Sequence, residues 1–269
     1  MARENDFRGR WALVTGASAG IGVALARELA RHGAKLILTA RRRDRLEALA
    51  QELRLQGTEV RILEADLNDP AAPQAIYDAT EGAGLAVEIL VNNAGLGQFG
   101  EFVRSPLAQE LRQVRVNCEA VVHLSRLFVP AMVTRRRGWV LIVASTASFL
   151  PVPFLSTYAA TKGFDRFFAL GLAEEVAPYG VKVSALCPGP TESEFFDIAG
   201  AAQFKARGVQ SAEVVAQRAI HALARGNRTL IPYFAGRATA FLVRFLPASL
   251  ITWGVARAAR PAATPPTHP

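Results

Sequence analysis

Short, mostly apolar runs alternate with helical periodicities along most of the chain. Residues 11–15, 35–40, 59–63, 87–91, 139–144, 181–186 and 228–231 are the strand-like runs. Their nearly continuous apolar character reads as strands buried on both faces. Helices are expected at 21–32, 44–56, 70–80, 107–133, 157–177 and 211–225. In the second of these, Asp44 stands where a cap belongs, Leu46, Leu49 and Leu53 share one face, and Gly57 supplies the stop. Such alternation predicts an α/β fold, a doubly wound parallel sheet of about seven strands with helices on both faces. No repeat or interdomain linker interrupts the pattern. Residues 1–260 are therefore expected as one domain with an apolar extension from 232, and the Pro- and Ala-rich 261–269 as a disordered tail.

Composition narrows the class. With 269 residues and 51% hydrophobic content the chain can fill a large core, which excludes global disorder. The net charge is +8 and the isoelectric point 10.2. There is no basic stripe interleaved with aromatics, so a nucleic-acid partner is not expected. Arg clusters stand at 41–43 and 135–137, and the second is read as a solvated loop or helix end. Only two Cys and four scattered His are present, without CxxC or HExxH, so reduced thiols and no metal are expected. The first ten residues carry no apolar leader core, and the expected location is cytoplasmic. The uncharged stretch 138–161 is long enough to span a bilayer, but Pro151 and Pro153 break it into a strand, a loop and a helix start. The apolar stretch 230–255 carries Arg237 and Arg244 and reads as surface amphipathic helices. Peripheral membrane contact through it is the less favoured possibility.

The first strand runs directly into Thr15-Gly16-Ala17-Ser18-Ala19-Gly20-Ile21-Gly22. Glycines at a strand-to-helix junction let a pyrophosphate approach backbone N–H groups at the positive end of the helix. Gly16, Ser18, Gly20, Ile21 and Gly22 are the candidate contacts of a Rossmann-type cofactor site. An acidic residue at the end of the second strand would receive the ribose of NAD, but Arg41 and Arg42 stand there instead. Guanidinium groups suit a 2′-phosphate, so NADP is expected over NAD. Asp66, followed by Leu67, can equally contact an adenine amino group or cap a turn. Asn92-Asn93-Ala94-Gly95 follows the fourth strand, at the cleft edge of such a sheet.

Tyr158 and Lys162 are four apart on an expected helix and share a face. A nearby ammonium lowers a phenol's pKa, and the pair can then exchange a proton with an alcohol or carbonyl oxygen. Ser145 ends the fifth strand, within reach of the same oxygen. Singly each residue is ordinary for its place; the glycine turn gives the combination its weight.

Together these pieces resemble the short-chain dehydrogenase/reductase family in its single-domain branch. The matching segments are Thr15–Gly22, Asp66, Asn92–Gly95, Asn117, Ser145, the Tyr158-x-x-x-Lys162 pair and Pro188-Gly189-Pro190-Thr191. The resemblance implies that Tyr158 is the general acid in reduction and the base in oxidation. It implies that Lys162 lowers the tyrosine pKa and bonds the nicotinamide ribose, and that Ser145 orients the carbonyl. Asn117 would hold a water in a relay from Lys162. Asn93, with Ala94 and Gly95, would support the cleft, and Pro188, Gly189 and Thr191 would lie against the carboxamide side of the nicotinamide. Association into a homo-oligomer, a dimer or tetramer, is also implied.

Phe99, Phe149, Phe154 and Phe195 are the candidate pocket walls, with Glu192 and Glu194 facing out. They favour a small apolar carbonyl or alcohol substrate: a steroid, an acyl chain or an aromatic ketone. Two other readings stand beside this one. They are a regulator that binds NADP(H) without turnover, and a membrane-peripheral reductase of lipid-derived ketones.

Overall fold

A computed structural model describes residues 7–201 and 209–260. The expected tail at 261–269 lies outside them. The strands are β1 (Trp11–Thr15), β2 (Lys35–Ala40), β3 (Val60–Glu64), β4 (Val87–Asn92), β5 (Gly138–Val143), β6 (Val181–Leu186) and β7 (Thr229–Leu230). The helices are α1 (Gly20–Arg31), α2 (Arg43–Leu55), α3 (Ala72–Asp78), α4 (Leu107–Val114), α5 (Ala120–Thr134), α6 (Ser156–Val176), α7 (Phe195–Ile198), α8 (Ala212–Arg225), α9 (Phe234–Leu242) and α10 (Ala248–Ala259). The seven strands form one parallel sheet in the order β3-β2-β1-β4-β5-β6-β7.

Alternate residues of each buried strand feed the two faces. Val14, Leu36 and Val91 pack with Leu25, Leu53 and Ile220 of α1, α2 and α8. Leu13, Ile37 and Leu90 pack on the other side with Ile76, Phe128 and Ala173 of α3, α5 and α6. The chain after β1 and the chain after β4 therefore leave neighbouring strands toward opposite faces. A crevice opens at their carboxyl ends, where such sheets hold ligands.

Three expectations change in detail. The single helix foreseen at 107–133 is interrupted between α4 and α5 by a wide π-type turn at Arg115–Glu119. No Gly or Pro marks that turn in the sequence, and wide turns of this kind concentrate at functional sites. Asp44 lies in the first turn of α2, while Arg42 occupies the cap position. The Arg135–Arg137 cluster is at a helix end, as expected, and Arg136 and Arg137 are exposed, but two of its guanidinium groups are held by ion pairs rather than left to solvent. Arg135 pairs with Glu81, and Arg137 donates to the buried Glu88 at 2.7 Å. Arg10 reaches the same Glu88 carboxylate at 2.8 Å, which pins the foot of β4. The span Leu107–Thr134 is long and apolar enough to cross a membrane, with mean hydropathy 1.2, yet half of its window is buried in the fold.

Candidate active site

The turns after β1 and β4 are joined by one hydroxyl. Thr15 Oγ1 donates to Val91 O at 3.1 Å and accepts from Asn93 N at 2.9 Å and Ala94 N at 3.0 Å. Asn93 Nδ2 donates back to Thr15 O at 2.8 Å. Gly16 has φ +66°, and a Cβ there would lie 2.9 Å from Ala94 Cα, so both conformation and space require glycine. Helix α1 starts after Ala19, which supplies no side-chain cap. Its first N–H groups are left for another acceptor, and the helix dipole makes an anion the best one.

Beside this turn lies Arg42. Its Nη2 and Nε donate to Ser18 Oγ at 3.2 and 3.3 Å. Arg41 is exposed next to it. No carboxylate ends β2, as read from the sequence, but one arrives from elsewhere. Glu194 accepts from Arg42 Nη1 at 2.7 Å and from Arg45 Nη1 at 2.5 Å. These bonds, from Arg42 first and Arg45 second, hold its carboxyl below the usual range. Glu194 thus does not face out freely; it ties the segment before α7 to the start of α2. Ser193 follows the same path, since a Cβ on Gly20 would meet Ser193 Cβ at 2.6 Å. Asp66 takes its turn-capping role: Oδ1 accepts from Asn68 N at 3.0 Å, and Oδ2 lies 3.9 Å from Arg112. Leu67 packs against the core on the α3 side.

Helix α6 carries Tyr158 and Lys162 into the fold. Lys162 Nζ donates to Val143 O at 2.7 Å and to Asp165 Oδ2 at 2.9 Å. Both side chains are almost wholly buried. Burial alone would push Lys162 down, but Asp165 and then Tyr158 outweigh it and keep the ammonium charged. For Tyr158 the balance falls the other way. Burial pushes its hydroxyl up by more than Lys162 and a hydrogen bond with Ser145 pull it down, and Asp165 adds to the rise. The lowered tyrosine pKa expected from the sequence is therefore corrected for the protein alone, because the expectation left out both burial and Asp165. Ser145 ends β5 and accepts from Ala147 N at 3.1 Å.

Asn117 sits in the wide turn between α4 and α5 with no exposure. Its Oδ1 accepts from Leu96 N at 2.8 Å, and its Nδ2 donates to Leu96 O and Thr161 Oγ1, each at 2.9 Å. The side chain holds the loop after Gly95 against α6. Gly95 is close by: a Cβ there would come within 3.3 Å of Lys162 Nζ. Asp165 and Thr161 were missed by sequence reading. The available signal was a carboxylate three residues after Lys162, on the face of α6 that the lysine occupies.

Of the four phenylalanines foreseen as pocket walls, Phe195 packs on Tyr158, and Phe99 and Phe154 pack on each other. The Phe195 ring lies 5.1 Å from that of Tyr158. Gly97 passes beside both; a Cβ there would lie 2.6 Å from Phe195 Cζ and 3.3 Å from Tyr158 Cδ2. Phe99 and Phe154 face each other at 6.2 Å, and Phe99 N donates to Ala199 O at 2.8 Å. Phe149 departs from the expectation. It packs on the core on the α6 side, with the Arg166 guanidinium 4.4 Å from its ring centre. Pro188 O accepts from Thr146 N at 2.9 Å, and the buried Thr191 donates to Gly189 O at 2.9 Å. Gly189 lies against the ring of Tyr233, where no side chain would fit. Burial raises the thiols of Cys118, to about 12, and Cys187, to about 11, which suits packing residues. Among the described residues no group of three or more His, Cys, Asp or Glu comes together to hold a metal ion.

Comparison with known proteins agrees with this geometry. Residues 10–203 match a family model described as short chain dehydrogenase. The very-long-chain 3-oxoacyl-CoA reductase of Homo sapiens is 37% identical over 187 residues, covering 67% of this chain and 59% of that protein. The protein of the same name from Podospora anserina is 36% identical over 185 residues, 67% of this chain and 54% of that one. The chain thus spans less than two thirds of the length of these relatives. Among solved structures, a short-chain dehydrogenase from Sphingobium yanoikuyae in complex with NADPH superposes with TM-score 0.81 at 31% identity, covering 97% of this chain and 100% of that one. One from Burkholderia phymatum in complex with NAD gives 0.82 at 28% identity, with 88% and 93% covered.

Proposed function

The chain belongs to the short-chain dehydrogenase family, and on that premise we propose that it is an NADP-dependent oxidoreductase acting on an apolar ketone or secondary alcohol. The observation that carries the reading is the pairing of the part-buried Tyr158 with the buried Lys162 on α6. Ser145, which pulls the Tyr158 hydroxyl down as Lys162 does, stands with them at the same sheet edge as an uncapped helix start and Arg42. The donor set fits a dinucleotide. Backbone N–H groups of Gly20, Ile21 and Gly22 would hold the pyrophosphate, with Gly16 and Ser18 shaping the turn. Arg42 and Arg41 would hold the 2′-phosphate, and Lys162 the nicotinamide ribose. Asn93, Ala94 and Gly95 would wall the cleft. Pro188, Gly189 and Thr191 would border the nicotinamide.

When bound, the nicotinamide supplies the hydride. The protein's part is to move a proton and to hold the carbonyl. Ser145 Oγ donates to the substrate oxygen and orients it. Tyr158 then protonates that oxygen as charge develops on it, and in the oxidative direction takes the proton back. Lys162, kept charged by Asp165, stabilises the phenolate that remains. Phe195 gives an apolar wall beside Tyr158, and the Phe99–Phe154 pair would extend it. With relatives named as 3-oxoacyl-CoA reductases, a 3-oxoacyl thioester is the first substrate class to test.

The cofactor preference is tested by titrating the protein with NADPH and NADH side by side. Binding of NADPH at least about tenfold tighter is expected, the effect of a single good charge-assisted contact. NADH equal or tighter would overturn the preference.

A further inference from the structure

The last two helices carry large apolar side chains that the described residues leave exposed. Phe234, Phe241, Phe245, Leu246, Leu250 and Trp253 are each more than half exposed. Only Gly236 and Ala240 of α9 and Ala259 of α10 are buried. Helices of nine and twelve residues that bury so little gain little from packing, and short helices are marginal without it. So many large apolar side chains exposed along two successive helices and the turn between them mark an interaction site.

Charge identifies the partner. Arg237, Arg244, Arg257 and Arg260 stand in the same segment, and no Asp or Glu follows Glu213 in the sequence. None of these four guanidinium groups is paired with a carboxylate among the described residues. Arg237 bonds Ile231 O at 2.9 Å, and Arg257 lies 5.8 Å from the Trp253 ring centre. A second copy meeting this face about a two-fold axis would set arginines against arginines, with no acid of the face to answer them. Arginine interleaved with Phe, Leu and Trp on interfacial helices suits a surface with a negative headgroup layer over an apolar interior.

We propose that α9 and α10 form a seat for an anionic lipid bilayer: the aromatic and leucine side chains enter the acyl boundary, and the four arginines meet the phosphate headgroups. The seat adjoins the pocket. Helix α9 touches the Thr146–Phe149 segment that follows Ser145, and Tyr233, just before α9, lies on Gly189. An apolar substrate held in the bilayer would thus enter the site from the side on which the protein sits. The seat does not rest on the hydride-transfer reading, because its test needs no turnover.

The experiment is sedimentation of the full chain with vesicles of phosphatidylcholine alone and of phosphatidylcholine mixed with phosphatidylglycerol. Binding to the mixed vesicles is expected to exceed binding to the neutral ones by at least about tenfold and to fall with salt. The paired variant Phe245→Asp/Trp253→Asp should abolish it. A variant with all four arginines changed to Gln keeps the apolar face and should lose only the excess on anionic vesicles. It decides the matter if circular dichroism shows the Asp variant unfolded. Equal binding to both vesicle types, or none, would overturn the proposal. So would a dimer in sedimentation velocity that the Asp variant turns into monomer while no vesicle binding is seen, since the face would then belong to a second copy.

Discussion

Among the ionisable neighbours of Lys162, Asp165 and then Tyr158 act on it most strongly, and Asp165 acts on Tyr158 as well. Asp165 holds the ammonium at 2.9 Å and raises the tyrosine hydroxyl. Asp165→Asn removes a negative charge from a buried cluster, so the phenolate forms more easily wherever Lys162 keeps its proton, while burial, no longer opposed by Asp165, pushes Lys162 down. The acid limb of the pH profile for alcohol oxidation is expected to move to lower pH; a residue with a merely packing role would lower the rate and leave the limb in place. The same variant leaves a buried ammonium without its counter-ion, at a cost of about 3–5 kcal/mol that thermal unfolding will read. Glu194 offers a second test at this scale. It occupies Arg42, which a 2′-phosphate would need, and Arg45 beside it. Glu194→Gln should therefore tighten NADPH by about tenfold and leave NADH nearly unchanged, as equilibrium titration will show. Equal changes for both cofactors would mean that Arg42 does not read the phosphate.

Among the elements, the junction of β1 and β4 bears the most on the site. Thr15 Oγ1 serves three backbone groups there. Thr15→Val keeps the shape but leaves the Ala94 N–H group without its acceptor, while Asn93 N–H keeps Val91 O at 3.1 Å, so a loss of about 1–3 kcal/mol is expected in denaturant unfolding. Thr39 in β2 is the control, because its buried hydroxyl has no partner. Thr39→Val should be neutral or stabilising by the same measurement. Elements of this kind were largely legible in the sequence. The strands and α1, α2, α6 and α8 follow from apolar periodicity and from Gly33, Gly57 and Gly180, all signals within a few residues. The wide turn at Arg115–Glu119 was not, for its helix carries no breaker, and the turn sits where Asn117 reaches Leu96 and Thr161. Contacts distant in the chain were equally hidden. Glu194 meets Arg42 across 152 positions, and Arg137 meets Glu88 across 49. Asp165 was within reach, three residues from Lys162, but was overlooked.

On the scale of the whole molecule, one sheet edge gathers the glycine turn, Arg42, Ser145 and the Tyr158–Lys162 pair from segments spread between residues 16 and 162. The order of strands does this: β1, β4 and β5 are neighbours, and residues of the site stand at or just after the end of each. The strap from Thr191 to Ala199 closes the far side, with Glu194 on α2 and Phe195 on Tyr158. The measurement that tests this assembly most directly is NADPH oxidation with a panel of 3-oxoacyl thioesters and apolar ketones, run on the native chain and on Tyr158→Phe. Turnover by the native chain is expected, with a loss of at least about a hundredfold in the variant while NADPH binding is retained. Turnover undiminished in Tyr158→Phe, or NADPH bound by the native chain with no turnover of any carbonyl in the panel, would contradict the account.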